Sequence, residues 1–236
     1  MINQSFDIPD FHSHTLPRVD HGSDSVETSL FQLELARKQG ITRVLSTPHF
    51  YPHVHTVPEF LKSRDKAISQ LLPALTEETP QIKLGVEVLL CSGIEKLDGL
   101  RSLCFYGSEY LLIELPFFDF SGEYITTIKN LKKMGYKVIL AHADRYPPQN
   151  IERLLESGVE MLQLNIFSLS GMFKNKKHFE WIDNGSVVAF GTDIHGRDKK
   201  AYKKFADIKN RLGERILNVK EKSDKIWSEI SPYIIK

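Results

Sequence analysis

Short, almost wholly apolar runs alternate along this chain with longer stretches that carry one apolar face. The runs read as strands buried on both sides, and the stretches at helical spacing as the helices that cover them. A first strand passes through Ile8 and Phe11 into His12-Ser-His14. After a loop ending at Gly22, Ser25 caps a helix whose Val26, Leu30, Leu33 and Ala36 share a face, and Gly40 closes it. Ile41 to Thr47 is the next strand, stopped at Pro48-His49, with a loop over 50–58 and a helix over 59–72 behind it. Strands follow at 82–90, carrying Glu87, and at 110–115, carrying Glu114 and halted by Pro116, with an irregular segment over 91–109 between them. A helix over 122–134, a strand over 136–142, a helix over 149–157 and a strand over 159–165 continue the rhythm. A lysine-rich helical stretch around 173–183 precedes a strand over 186–193, and two helical segments broken near Gly213 finish the chain.

Strands separated by helices pair in parallel, and about seven such units fit a chain of 236 residues. A closed barrel collects its site on the loops after the strands. An open doubly wound sheet does so too, but it carries a Gly-rich phosphate turn after its first strand, and this chain has none there. The expectation is therefore an α/β protein with a TIM-like barrel, residues 1–236 forming a single domain.

Six of these strands end in or near a residue able to hold a metal ion: His12 and His14, then His49, Glu87, Glu114, His142, and Asp193 with His195. Alternation along a strand puts His12 and His14 on one face, and Asp193-Ile-His195 repeats that spacing. A carboxylate inside an apolar strand is costly unless paired or metal-bound, which singles out Glu87 and Glu114. Imidazole and carboxylate without thiolate suit Zn, Mn or Fe in a working site. Eight donors exceed the needs of one ion, so two or three ions sharing bridging carboxylates are expected, an arrangement suited to phosphate ester hydrolysis. His53 and His55 sit in a Pro-containing loop and read as surface or substrate contacts, and His178, among lysines, as a solvated residue.

Composition narrows the picture from outside. Hydrophobic residues make up 41% and charged residues 26%, with a formal net charge of +1, so no global field invites nucleic acid or an anionic membrane. No apolar run approaches a membrane span, the first residues lack a signal-peptide pattern, and two cysteines give no disulfide framework. A cytoplasmic protein is expected. Neither cysteine is followed six residues on by Arg, since position 97 is Leu and position 110 is Tyr, which excludes a cysteine phosphatase loop. A nucleotide-binding Gly-Lys-Ser/Thr loop and a His-Glu-x-x-His motif are likewise missing from the sequence.

The motifs His12-Ser-His14, Thr47-Pro-His49, Gly85-Val-Glu87, Ile113-Glu-Leu-Pro116, Ala141-His142-Ala-Asp-Arg-Tyr146 and Thr192-Asp193-Ile-His195 together resemble the PHP (polymerase and histidinol phosphatase) superfamily. Within it the chain is similar to the bacterial manganese-dependent protein-tyrosine phosphatases of capsule and exopolysaccharide loci, from about residue 8 to residue 197. That resemblance implies a distorted seven-stranded (β/α)7 barrel, manganese with Fe, Co or Zn as substitutes, and hydrolysis of phosphotyrosine on a cognate tyrosine kinase. It implies one ion on His12, His14, Glu87 and Asp193, and a second on Glu87, Glu114 and His142. A third falls to His49, His195 and position 21, where Asp20-His21-Gly22 replaces the usual Asp-Asp-Gly and a neutral ligand replaces an anionic one. Arg18 stands where Gly is common, and Ala143-Asp144 replaces Pro-Glu ahead of Arg145.

The mechanism expected is in-line attack by a metal-bound hydroxide, with Arg145 clamping the phosphate and Arg197 as a second phosphate candidate. The plain alternative for Arg145 is a surface residue paired with Asp144. Other readings remain open on these residues: another PHP phosphoesterase acting on histidinol phosphate, a small phosphomonoester or nucleic-acid ends; a binuclear amidohydrolase; or a metal-dependent sensor or kinase-binding scaffold.

Overall fold

The computed structural model describes residues 7–116, 120–169, 176–202, 205 and 211–233. Its centre is one curled, all-parallel sheet of nine short strands among the described residues. They are β1 (Asp10–Ser13), β2 (Arg43–Ser46), β3 (His49–Phe50), β4 (Gln81–Leu84), β5 (Glu87–Leu89), β6 (Tyr110–Glu114), β7 (Lys137–Leu140), β8 (Met161–Asn165) and β9 (Val187–Gly191). Their order is β3-β5-β6-β7-β8-β9-β1-β2-β4. Six α-helices accompany them among the described residues: α1 (Val26–Lys38), α2 (Val57–Leu71), α3 (Gly122–Lys133), α4 (Pro148–Glu156), α5 (Lys176–Asp183) and α6 (Arg215–Glu229).

The strand count differs from the seven expected because the second predicted strand resumes past its expected stop at Pro48 as β3, and the third breaks once, into β4 and β5. At the break the Gly85 N–H still reaches the Ser46 carbonyl at 2.8 Å, and the Glu87 N–H the Pro48 carbonyl at 3.1 Å. The missing rung is the one Pro48 would donate, since proline has no N–H. Register is the same on either side: Ser46 pairs with Leu84 and His49 with Glu87.

Helix starts follow the local chemistry. The Ser25 hydroxyl accepts from the Thr28 N–H, and Thr56 forms a capping box with Glu59 that begins α2 at Val57, slightly before the expected start. The irregular 91–109 segment holds two short 3-10 turns, Ile94–Lys96 and Leu100–Leu103. Of the two segments expected after Lys199, the second is α6, and the first lies largely outside the described residues.

Apolar residues form two groups. One lies between the helices and the outer side of the sheet, including Val44, Leu84, Ile113, Leu140 and Leu164. The other fills the inner side with Phe11, Leu45, Leu112, Ile139 and Ala189, closed at one end by Ile226 and Trp227 of α6. Burying a side chain such as Phe11 stabilises by about 1.5–3 kcal/mol. The lysine-rich terminal helix is thus a closure of the sheet on one face and solvated on the other, where Lys225 is exposed.

Candidate metal centre

Side chains at alternate positions share a face, so Leu45, Thr47 and His49 lie along one inner row. Lys83, Gly85 and Glu87 form a second, and Tyr110, Leu112 and Glu114 a third. Each row is apolar or satisfied low in the sheet and ends in a donor at the carboxyl edge. There the expected residues meet. His12, His14, Glu87 and His142 have no measurable exposure, and His49, Glu114 and Asp193 are buried.

The largest group is His12, His14, Glu87 and Asp193. His12 Nε2 stands 3.0 Å from Glu87 Oε2 and 3.5 Å from Asp193 Oδ1, and 3.2 Å from His14 Nε2. His14 Nε2 is 3.4 Å and 3.2 Å from the same two oxygens. Donors around one ion at a bond length of about 2.0–2.1 Å are spaced roughly 3.0–3.4 Å apart, so this is the spacing of a coordination shell. A second group joins His49, Glu87 and Glu114, with His49 Nδ1 2.9 Å from Glu87 Oε2 and 3.3 Å from Glu114 Oε1. His142 Nε2 meets it, 2.7 Å from Glu87 Oε1 and 3.8 Å from Glu114 Oε2. The third group is His14, His49 and His195.

His21 is not brought into that third group. Its side chain is exposed, and its ring stacks on those of His49 and His195 at 4.9 Å and 4.5 Å between centroids. The neighbour that does enter is Asp20, which the sequence reading passed over. Its Oδ2 accepts from His14 Nδ1 at 2.6 Å and from the His49 N–H at 2.9 Å, and its Oδ1 from the Gly22 N–H at 2.8 Å.

Several buried donors of these groups make no hydrogen bond among the described residues: Glu87 Oε2, Asp193 Oδ1, Glu114 Oε1, His49 Nδ1 and His195 Nε2. Orphaned buried polar atoms are costly and call for an explanation. Five of them converging, with nitrogen and oxygen donors and no thiolate, fit divalent cations.

Protonation agrees with a site that exchanges protons for cations. Burial would depress His12 and His14, but Glu87 and Asp193 raise both, and Asp20 raises His14 further. His49, against burial, is raised to about 9 by Glu114 and Glu87. Burial would push Glu87 and Asp193 up, yet the facing imidazoles hold both far below the usual carboxylate range. Burial and the His14 charge lower His195 to about 4, leaving it neutral and able to ligate at cellular pH.

The backbone is bent to serve this edge. His142 and Asp193 have φ of 31° and 52°, left-handed values that only glycine adopts easily, and such outliers gather at functional sites. Close packing fixes the leading histidines: a Cβ on Gly191 would lie 2.4 Å from His12 Cβ, and one on Gly22 would lie 2.2 Å from His14 Cβ. Arg18 also has a left-handed φ of 60°.

Arg145 ends the short turn Ala143–Arg145 after β7, and its guanidinium pairs with Asp193 rather than Asp144. Asp144 is half-buried instead, accepting from the Asn165 N–H at 2.7 Å. Arg145 and Asp193 border a cavity of about 330 Å³ with Asn165, Phe167, Thr192 and Asp198. Arg197 points away to α1, donating to Thr28 Oγ1 at 3.3 Å and lying over the Phe31 ring. His53 and His55 are exposed. His178, expected in solvent, is buried beside Trp181 because the α5 face that carries it packs inward, and burial lowers its pKa.

Fold and site together define a metal-binding α/β protein, and comparison with known families gives the class a name. The chain belongs to the family described as "Capsular polysaccharide synthesis, CpsB/CapC", whose profile matches residues 8–223. The tyrosine-protein phosphatase CpsB of Streptococcus pneumoniae is 25% identical over 210 residues, covering 81% of this chain and 84% of that one. The tyrosine-protein phosphatase YwqE of Bacillus subtilis is 28% identical over 173 residues, covering 70% of this chain and 66% of that one. A solved structure from the pair YwqE and CpsB, "unique metal-dependent tyrosine phosphatases", matches with a TM-score of 0.75 at 22% identity over 96% of both chains, which establishes the shared fold. The resemblance drawn from the motifs is thereby borne out at family level.

Proposed function

We propose that this chain is a metal-dependent protein-tyrosine phosphatase acting in capsule or exopolysaccharide synthesis, its substrate a phosphotyrosine on a cognate tyrosine kinase. The observation that carries the reading is the set of buried carboxylate and imidazole atoms left without hydrogen bonds at one edge of the sheet. Family membership and the names of the relatives point the same way. We read the nine strands as seven, two of them interrupted, since register carries through both breaks and β9 pairs with β1. The whole chain then acts as one PHP-type barrel domain. A cytoplasmic setting suits a chain with two free cysteines and, among the described residues, no helix long and apolar enough to cross a membrane.

His12, His14, Glu87 and Asp193 would hold one ion, and Glu87, Glu114, His142 and His49 a second. His49 and His195, with His14 or His21, would hold a third, manganese being preferred and Fe, Co or Zn possible. Bound divalent ions would bring a coordinated water towards a pKa of about 7 and offset charge on phosphate oxygens. The chain's own residues do the rest. Asp20 fixes the His14 ring, and the Arg145 guanidinium, partly exposed in the cavity wall, turns from Asp193 to grip the phosphate bidentately. Phe167 lines the same wall, where the tyrosine ring would lie. A tyrosine leaving group, pKa about 10, departs with less acid assistance than an alkyl alcohol.

The test is protein stripped of metal and given back Mn, Co or Zn, assayed on p-nitrophenyl phosphate and a phosphotyrosyl peptide. Metal-dependent release of phosphate from both is the expected result. Turnover of histidinol phosphate alone would replace this reading with another phosphoesterase, and amide hydrolysis with an amidohydrolase.

A further inference from the structure

β8 supplies none of the cation donors, although it lies between two elements that do. What it carries at its inner positions are two buried amides, Gln163 and Asn165. We infer that these side chains form a polarised relay that sets which nitrogen of His12 and which oxygen of Asp193 face the cation.

The relay has a fixed starting point. The His142 backbone N–H can only donate, and it donates to Gln163 Oε1 at 2.7 Å. That settles the amide: turning it over would set its NH2 against the His142 N–H, donor to donor, in a buried place. With Oε1 so placed, His12 Nδ1, 2.9 Å away, must carry the proton and donate as well. Once the ring is neutral, as cation binding requires, His12 Nε2 is the lone-pair nitrogen, and it is the atom that meets Glu87 and Asp193. On the other side, Gln163 Nε2 donates to Asn165 Oδ1 at 3.0 Å. Asn165 is fixed in turn, and its Nδ2 donates to Asp193 Oδ2 at 3.3 Å. Oδ2 also receives Arg145, so Oδ1 is the oxygen left for the cation.

Both ends of the relay therefore open on the same four-residue group. Gly191 makes the space for it, since a Cβ there would fall 2.8 Å from Gln163 Nε2 as well as against His12. A neutral amide also orients the imidazole without adding negative charge beside Glu87 and Asp193. Gln163 and Asn165 are positioning residues, acting on the site through His12 and Asp193.

This inference rests on the cluster binding divalent ions, and the experiment separates the two. Mn2+ and Zn2+ affinities are measured by calorimetry for the full chain and for Gln163→Met and Gln163→Glu, with thermal midpoints of the metal-free forms recorded alongside. Gln163→Met should weaken binding by about 10- to 100-fold, the scale for removing an outer partner of a metal-ligating histidine. Gln163→Glu, which keeps an acceptor for His12, should recover most of that loss. In the zinc-loaded native protein, nitrogen-15 spectra should show His12 protonated at Nδ1 and metallated at Nε2. Metal on Nδ1, or Gln163→Met binding within threefold of native, or equal losses in both variants, overturns the relay. Should Gln163→Met fail to fold, the His12 spectrum of the native protein decides alone. Native protein that binds neither ion would instead sink the metal-site reading itself.

Discussion

Two ends of one inner surface treat buried charge in opposite ways. Lys83 and Glu87 lie on the same face of the same interrupted strand, four residues apart, and both are buried. At the closed end, Lys83 Nζ donates to the Trp227 and Ile230 carbonyls at 2.7 Å and 2.6 Å and lies 4.8 Å from the Trp227 ring centroid. Its charge caps the last turn of α6, the placement a helix terminus favours. At the open end, Glu87 Oε2 is surrounded by imidazoles within 3.4 Å and still makes no hydrogen bond among the described residues. The difference separates a charge that holds the fold together from one held ready for a ligand. Burial alone does not distinguish them; the direction of the neighbouring lone pairs does.

The sharpest way to break this comparison is to neutralise each charge. Glu87→Gln should release bound metal and reduce phosphatase turnover by at least about 10²- to 10³-fold, the scale for losing one preorganised electrostatic contact. The metal-free variant should melt at a lower temperature than the metal-free native protein, because the imidazoles facing Glu87 lose their counter-charge. Arg145→Ala should leave metal content intact and lower turnover by about 10²-fold. An unchanged rate there would remove Arg145 from phosphate binding. Lys83→Met should do the reverse: metal content and turnover hold, while two buried carbonyls lose their donor and stability drops by about 1–3 kcal/mol. That is a fall of roughly 2–4 °C in Tm for each kcal/mol at this chain length.

The smallest effect is one of pH. His49 is raised to about 9 in the metal-free protein, so its protonation stabilises the fold fully below its ordinary value near 6.5. That contribution is lost as pH climbs through 9. The Tm of metal-free protein should therefore fall across pH 6.5–9, and a metal-loaded sample should not show that fall. A flat profile without metal would mean the imidazole and its carboxylates are not coupled as the geometry implies.

The donors were legible because they break a pattern. His12, His14, Glu87, Glu114 and Asp193 interrupt apolar strands where a polar side chain is costly, so sequence alone singles them out. Gln163 and Asn165 break β8 in the same way, at alternate inner positions, and the same alternation marks them although neither is a usual ligand. Asp20 gave no such signal. It lies in a loop, and only the return of that loop over the strand ends brings its carboxylate to His14 and His49. Arg197 shows the opposite: nearness in sequence to His195 says nothing of direction once the chain turns at Gly196, and its guanidinium meets Thr28 of α1.

By itself the sequence determined the alternation of strand and helix, the parallel pairing it enforces, and most of the imidazoles and carboxylates that meet at the carboxyl edge. Those follow from periodicity and the cost of buried charge, which are local. The tertiary structure decided how donors are shared: that Glu87 faces His12, His14, His49 and His142 together, that His14 stands in the third group where His21 was expected, and that amides from β8 aim two of the ligands. Those outcomes depend on how far the sheet curls and in what register its strands meet, and a few tenths of an ångström there separate a coordination shell from a set of unrelated side chains.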